Sequence, residues 1–496
     1  MKKLIRILSL ALVLCMLGMA LIACNNTTPP EETSGNNGNN DTVDTEEADK
    51  SALAATGLSG KTFDGELFVI RYPTSTTFVP DTFKVSGLDA SKDIVKKAAY
   101  DRDKVFEELT KAIISYEESA TDPNRGTDIT SIRVLYQGGE LGEIDMITTG
   151  ARTIGTMIQE SMLMNLNDYD NYIHSDRYYY STGMNEQMSI GGKLFALSGY
   201  HTTLNYRYIG TVAVNNDVLS AHFQDNNKID ELYELAVNNK WTYEKMFEYG
   251  KTYGTGNVEN NLELDKYTFV ASKNSIQANY HAAGGTVVEK DANDLPTISI
   301  NSKANIEVLT KLNEILGNNS ACYVAPDDTE AATFGLGNAM FGQSAMSAVS
   351  GYNDQFGIDG RLMPMPTLEE GADYVSNCDA WTTNLIGIPS TSSDAEMAAY
   401  CLEIYMALSY DHVFPEFYEK LFKSRYAENE YESQIFDIIT TNTYMDYVNL
   451  YQWQAKNDAI RKVIVSSSNI VASSVEEIEN EVKQNIENFL KTYDFS

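Results

Sequence analysis

GELFVIRY (residues 65–72), AIISY (112–116) and EIDMI (143–147) are three short runs rich in β-branched and apolar residues, and what separates them decides the fold. Between the first two lies Ser91 to Lys111, where Ile94, Val95, Ala98, Val105, Phe106 and Leu109 make an apolar stripe at helical spacing. Asp128 to Gln137 reads as a second helix before the third run. Strands alternating with helices predict a parallel or mixed sheet covered on both faces.

The alternation continues toward the C-terminus. Thr211-Val212-Ala213-Val214 predicts a strand, and Asp230 to Val237, a segment starting near Thr242 and Asn305 to Leu316 predict helices. Ser393-Asp394-Ala395-Glu396 and Ser474-Val475-Glu476-Glu477 have capping-box spacing. The first should open a helix running through Leu408, the second a helix carrying Ile478, Val482, Ile486, Phe489 and Leu490. The expected class is α/β with a helix-rich C-terminal portion.

Toward the N-terminus, Lys2, Lys3 and Arg6 precede an almost wholly apolar run from Ile7 to Ile22. That is the layout of a secretory signal, too short for a convincing membrane span. It ends in Leu21-Ile22-Ala23-Cys24, which resembles a bacterial lipobox, so residues 1–23 read as a lipoprotein signal peptide and Cys24 as the lipidated residue. Residues 24–60 carry almost nothing apolar before Leu53 and read as a disordered tether. A flexible chain of that size reaches roughly 30–35 Å.

Composition narrows the function. With 70 acidic against 37 basic residues and a formal charge of −33, no nucleic-acid partner is expected. The 31 tyrosines suit a hydroxyl-rich ligand, although many must simply be core. Cys322, Cys378 and Cys401 have no metal-site spacing, and at most one disulfide could join two of them. Gly60-Lys61-Thr62 lacks the earlier glycine of a phosphate loop, and His174-Ser175-Asp176 are too close in sequence to converge as a triad. No catalytic residue, metal or cofactor is expected. A paired-carboxylate glycosidase site stays open, because its two acids need not be neighbours in the chain.

From about Asp145 to Tyr451 the chain resembles the extracellular solute-binding proteins, family 1, of ATP-binding-cassette importers. The matching pieces include GEIDMITTG (142–150), IGGKLFAL (190–197), TVAVNNDVL (211–219), AMFGQSAMSAVSGY (339–352) and IGIPSTSSDAEMAAYCLEIY (386–405). Asn215-Asn216-Asp217 and the Tyr-rich MDYVNLYQW (445–453) depart from the family pattern. The resemblance implies a two-lobe, periplasmic-binding-protein-like (type II) fold with an interlobe cleft. Lobe one would take 61–204 plus 357–410, and lobe two 205–356 plus 411–496. It further implies a monomer, held by its lipid on the extracytoplasmic face of the cell membrane, that carries a carbohydrate to permease subunits.

A sugar needs aromatic platforms for its C–H faces and planar polar groups for its rim. On the resemblance, Thr148, Thr149 and Arg152 lie in the ligand loop after the Asp145 strand. Tyr352 and Trp381 are the expected platforms, Asp379 a hydroxyl acceptor, Tyr200 and Asn205 the flanks of the first crossover, and Trp453 a wall residue. Trp241 is expected to pack structurally. Tyr178, Tyr179 and Tyr180 cannot all face one cleft and are expected at the surface or in the core. A secreted polysaccharide-active enzyme, or a binding lipoprotein for peptides or another polar solute, are the competing readings.

Overall fold

The computed structural model describes residues 51–75, 80–256, 265–326, 329–453, 459–468 and 470–493, without the side chain of Asn353. The signal peptide, Cys24 and most of the tether lie outside the described residues. The Ala52–Ala55 turn, expected in the tether, is folded: its Ala52 and Leu53 N–H groups donate to Asp411 at 2.7 and 2.9 Å, and Ala52 is fully buried.

Among the described residues, nine strands make the two larger sheets. β1 (Leu67–Pro73), β2 (Ile113–Ser119) and β3 (Met146–Gly150) are parallel, with β1 in the middle. β4 (Gly210–Asn215), β5 (Tyr267–Ser272), β6 (Cys322–Ala325), β7 (Ala339–Ala345) and β8 (Gly360–Met363) form the second sheet in the order β8-β4-β7-β5-β6. β9 (Asn384–Gly387) returns to the first sheet, antiparallel to β3.

Helices cover the first sheet as the periodicity predicts. α1 (Ile94–Thr110) starts where Asp93 accepts from the N–H groups of Val95 and Lys96, and it buries Val95, Ala98, Ala99 and Phe106. Ile94 and Leu109, read as part of that stripe, are exposed instead. α2 (Thr127–Gly138) follows β2, and α3 (Ala151–Gln159) follows β3 without a loop. α4 (Ala395–Leu408) is buried from Met397 to Leu408, which suits its nearly continuous apolar sequence. Its one acid there, Glu403, accepts the hydroxyls of Tyr179 and Tyr180 at 2.6 and 2.5 Å. α5 (Glu430–Thr441) packs against the Lys228–Val237 helix, and α6 (Val471–Thr492) closes the chain.

Two details of the expected lobe boundaries change. β8 was expected in the first lobe, but Gly357, with φ of 65°, turns the chain so that Gly360–Met363 pairs with β4 of the second sheet. The C-terminal portion also serves both lobes, since Tyr447–Leu450 packs on α3 of the first whereas α5 and α6 pack on the second. Two segments cross between the sheets. The first, near residues 198–209, and the second, near 376–384, meet at an Ile209–Cys378 bridge. Asn205 ties them again, donating to Asn384 O at 2.9 Å and accepting from Asn384 N at 2.8 Å.

Candidate functional site

The parallel strands β1, β2 and β3 end on one edge, the usual place for a ligand in such sheets. At the end of β3, Gly150 passes so close to Pro123 that an added Cβ would lie 3.1 Å from the proline Cβ. Ala151 N then donates to Thr383 O at 2.9 Å, pinning the start of α3 to the second crossover. Arg152 is thereby set beside residues 379–383.

Beneath this edge lies a buried polar cluster. Arg71 and Asp128 form an ion pair at 3.1 Å, both almost fully enclosed. Asp128 also accepts from Thr121 at 2.6 Å and from Thr149 at 2.5 Å, while Arg71 donates to Ser119 and Ser131. Thr148 Oγ1 lies 3.4 Å from His201 Nε2. Thr148 and Thr149, expected in a ligand loop, are therefore strand residues with buried hydroxyls already engaged. Burial and the nearby Arg102 push the His201 ring down to about 3, so it stays neutral.

Above the cluster, three expected residues come together. The Arg152 guanidinium stacks over the Trp381 indole, 4.2 Å from its centroid, and Trp381 remains 46% exposed. Asp379 accepts from Trp381 N at 2.9 Å. Burial raises the Asp379 carboxyl above its ordinary range, with the Trp381 hydrogen bond and the charge of Arg152 opposing; burial lowers the Arg152 guanidinium, with Asp379 opposing. The result is a fork of donors, one acceptor and an open aromatic surface in one place.

Tyr352 and Trp453 take no part in it. Tyr352 is 6% exposed, packed on Phe334, with its hydroxyl 2.5 Å from Ser344 Oγ. The bare backbone of Gly360 makes room for that ring, since a Cβ there would lie 2.5 Å from it. Trp453 is 1% exposed, stacked with Tyr447 and Tyr451, and donates from Nε1 to Gln159 at 3.2 Å. Both rings are packing residues, not platforms. Trp453 nonetheless bears on the site through its neighbour: Gln452 donates to Arg152 O at 3.3 Å and to Thr156 Oγ1 at 3.1 Å, steadying the first turn of α3. Sequence reading missed Gln452, Asp128 and Arg71. The one available signal was an arginine inside an otherwise apolar strand run.

Tyr200 and Asn205 lie elsewhere, lining a cavity of about 300 Å³ at the crossover. Trp241 is fully buried, its Nε1 donating to Pro364 O at 3.0 Å. Cys322, Cys378 and Cys401 are free thiols. Among the described residues no group of His, Cys, Asp and Glu could hold a metal ion, and no helix is long and apolar enough to cross a membrane.

With this geometry in view, the comparisons with known proteins are specific about family. A family model described as bacterial extracellular solute-binding protein matches residues 104–409. No curated protein matches the chain. Among solved structures, a cyclo/maltodextrin-binding protein complexed with maltotetraose is similar at 12% identity, covering 87% of this chain and 99% of that one, with a TM-score of 0.54. UgpB from Mycobacterium tuberculosis, in complex with glycerophosphocholine, is similar at 12% identity over 85% of this chain and 98% of that one, with a TM-score of 0.51. At such identities the likeness is one of fold.

Proposed function

Because the chain belongs to the bacterial extracellular solute-binding proteins, we propose that it captures a carbohydrate, an oligosaccharide in particular, and delivers it to an ATP-binding-cassette importer. The observation that carries the reading is the Arg152–Trp381–Asp379 cluster. An exposed indole suits the C–H face of a pyranose. A sugar hydroxyl is both donor and acceptor, so one hydroxyl can accept from the guanidinium while donating to the carboxylate. The second lobe would close over this surface, and ligand contact with both lobes would stabilise the closed state by differential affinity. No bond is made or broken. Cleavage before Cys24 and its lipidation would tether the protein to the membrane. The protein would act as a monomer.

Titration calorimetry of the folded chain against linear and cyclic oligosaccharides tests this. Trp381→Ala and Arg152→Ala should each weaken binding by roughly 1–3 kcal/mol, the scale of a contact that matters. Neither residue is in the core, so both variants should fold. Release of shortened glycans would overturn the receptor reading in favour of an enzyme. Binding of peptides alone would overturn the carbohydrate assignment.

A further inference from the structure

The helix Ala278–Ala282, which follows β5 of the second sheet, carries a buried histidine outside the candidate site. Its ring meets the residue that opens the Asp446–Trp453 segment. His281 Nε2 lies 3.4 Å from Asp446 Oδ2, and both side chains are 2% exposed. The other ring nitrogen, Nδ1, is 3.0 Å from Gly285 O. A carbonyl oxygen can only accept, so Nδ1 carries a hydrogen. Gly285 is itself held in place, its N–H donating to Tyr280 O at 2.8 Å.

In a neutral ring with its hydrogen on Nδ1, Nε2 presents a lone pair. Against an ionised Asp446, two lone pairs would face each other in a place closed to water. Oδ2 has no hydrogen-bond donor among the described residues, whereas Oδ1 accepts from Val448 N at 2.6 Å. A buried carboxylate oxygen without a donor is costly. One proton between Nε2 and Oδ2 removes the conflict, as imidazolium beside carboxylate or as imidazole beside carboxylic acid. Burial raises the Asp446 carboxyl above its ordinary range, with His281 and the N–H groups of Val448 and Asn449 opposing. Tyr280 and Tyr444 flank the ring, centroids 5.4 and 5.1 Å away, and Tyr447 follows Asp446. Burial raises all three hydroxyls, so they stay neutral. The charges bearing on those tyrosines, besides Asp446, are Glu289 and Asp294; Asp294 pairs with Lys290 at 2.6 Å.

We propose that His281 and Asp446 form a proton-operated catch: one proton between Nε2 and Oδ2 holds the start of the Asp446–Trp453 segment to the second lobe, and its loss to solvent frees that segment. Tyr447–Leu450 packs on α3 of the first lobe, and Gln452 donates to Arg152 O. The catch therefore ties one lobe to the other and bears on the first turn of α3, whatever the Arg152 cluster binds. Its sign follows from linkage. In the unfolded chain an Asp releases its proton near 3.9 and a His near 6.5. Above about pH 6.5 the unfolded side chains hold no proton while the folded pair keeps one, so stability falls as pH rises until the catch has let go. Between about pH 4 and 6.5 both states hold one proton, and the pair adds no slope.

The test compares the parent with Asp446→Asn and His281→Gln, without ligand, by denaturant unfolding and amide hydrogen exchange from pH 6 to pH 9. Asp446→Asn keeps Oδ1 for Val448 and sets an N–H donor opposite Nε2, so the pair closes with no extra proton. Above pH 6.5 the unfolding constant of the parent should grow relative to Asp446→Asn, by up to about tenfold per pH unit. His281→Gln removes the shared proton by another route and should lose the same slope. The N–H groups of Val448, Asn449 and Leu450 all donate to Asp446. Corrected for intrinsic rates, their exchange in the parent should be about tenfold faster or more at pH 9 than at pH 6, and unchanged in Asp446→Asn. Equal slopes in the parent and Asp446→Asn, or parent amides equally protected at both pH values, overturn the proposal.

Discussion

Asp145 stands just before β3, 5% exposed, with a carboxylate oxygen accepting the Val69 N–H at 2.8 Å. Burial raises its pKa from 3.8 to about 6. A carboxyl raised on folding adds stability below its ordinary value, and that contribution is lost as pH climbs through about 6. Two units correspond to about 3 kcal/mol at most. Asp145→Asn keeps an acceptor for Val69 and removes the charge, so denaturant unfolding between pH 4 and 7 should lose part of its decline with rising pH. An identical pH slope in the variant would show that Asp145 ionises freely in the folded state. The same scale explains what the sequence withheld about the site. The ring and charge of Trp381 and Arg152 were readable as types suited to a sugar. That Thr149 is engaged by Asp128 was not, because the partner lies in another element and burial decides which hydroxyls remain available.

Among elements, the Asp446–Trp453 segment packs closely on α3, which carries Arg152. Gly155, on α3, faces Leu450, whose carbonyl oxygen would lie 2.0 Å from an added Cβ. Gly155→Ala must therefore push this segment off the helix, at a cost of about 1–3 kcal/mol for overpacking. Gln452 would lose its hold on Arg152 O, so ligand affinity should fall together with the melting temperature. A variant as stable as the parent would separate the segment from α3. This contact was invisible in MDYVNLYQW, which read as a departure and not as a brace. β1 to β4 and the helices named from their stripes were legible because their burial periodicity is local, whereas β5 to β8 were not read as strands. Helix starts were less legible: Asp394, not Ser393, caps α4 by accepting from Met397 N at 2.9 Å. Ser474 lies inside α6, because Val471 and Val475 are both buried and packing extends the helix a turn earlier.

The whole molecule turns on the joint between its sheets, and there Asn205 behaves like a neighbouring strand, filling both backbone positions of Asn384. The order of strands at this joint was only partly legible: β4 and β9 lie where the alternation and resemblance lead, but nothing local announces that β8 pairs back onto β4. Asn205→Ala leaves the N–H and C=O of a nearly buried Asn384 without those partners, which should cost about 1–3 kcal/mol in denaturant unfolding. Asn205→Asp is the sharper variant. Ionised, it still accepts from Asn384 N but sets a carboxylate against Asn384 O. Protonated, it can donate to that oxygen and restore both bonds. Its folded-state pKa is then raised, so its stability should approach the parent's below the ordinary carboxyl range and fall behind as pH rises. Scattering should show the same variant holding a less uniform angle between lobes at neutral pH than at acid pH. If Asn205→Asp tracks the parent at every pH, the amide clasp does not set the joint, and closure must be governed by the packing of the Asp446–Trp453 brace instead.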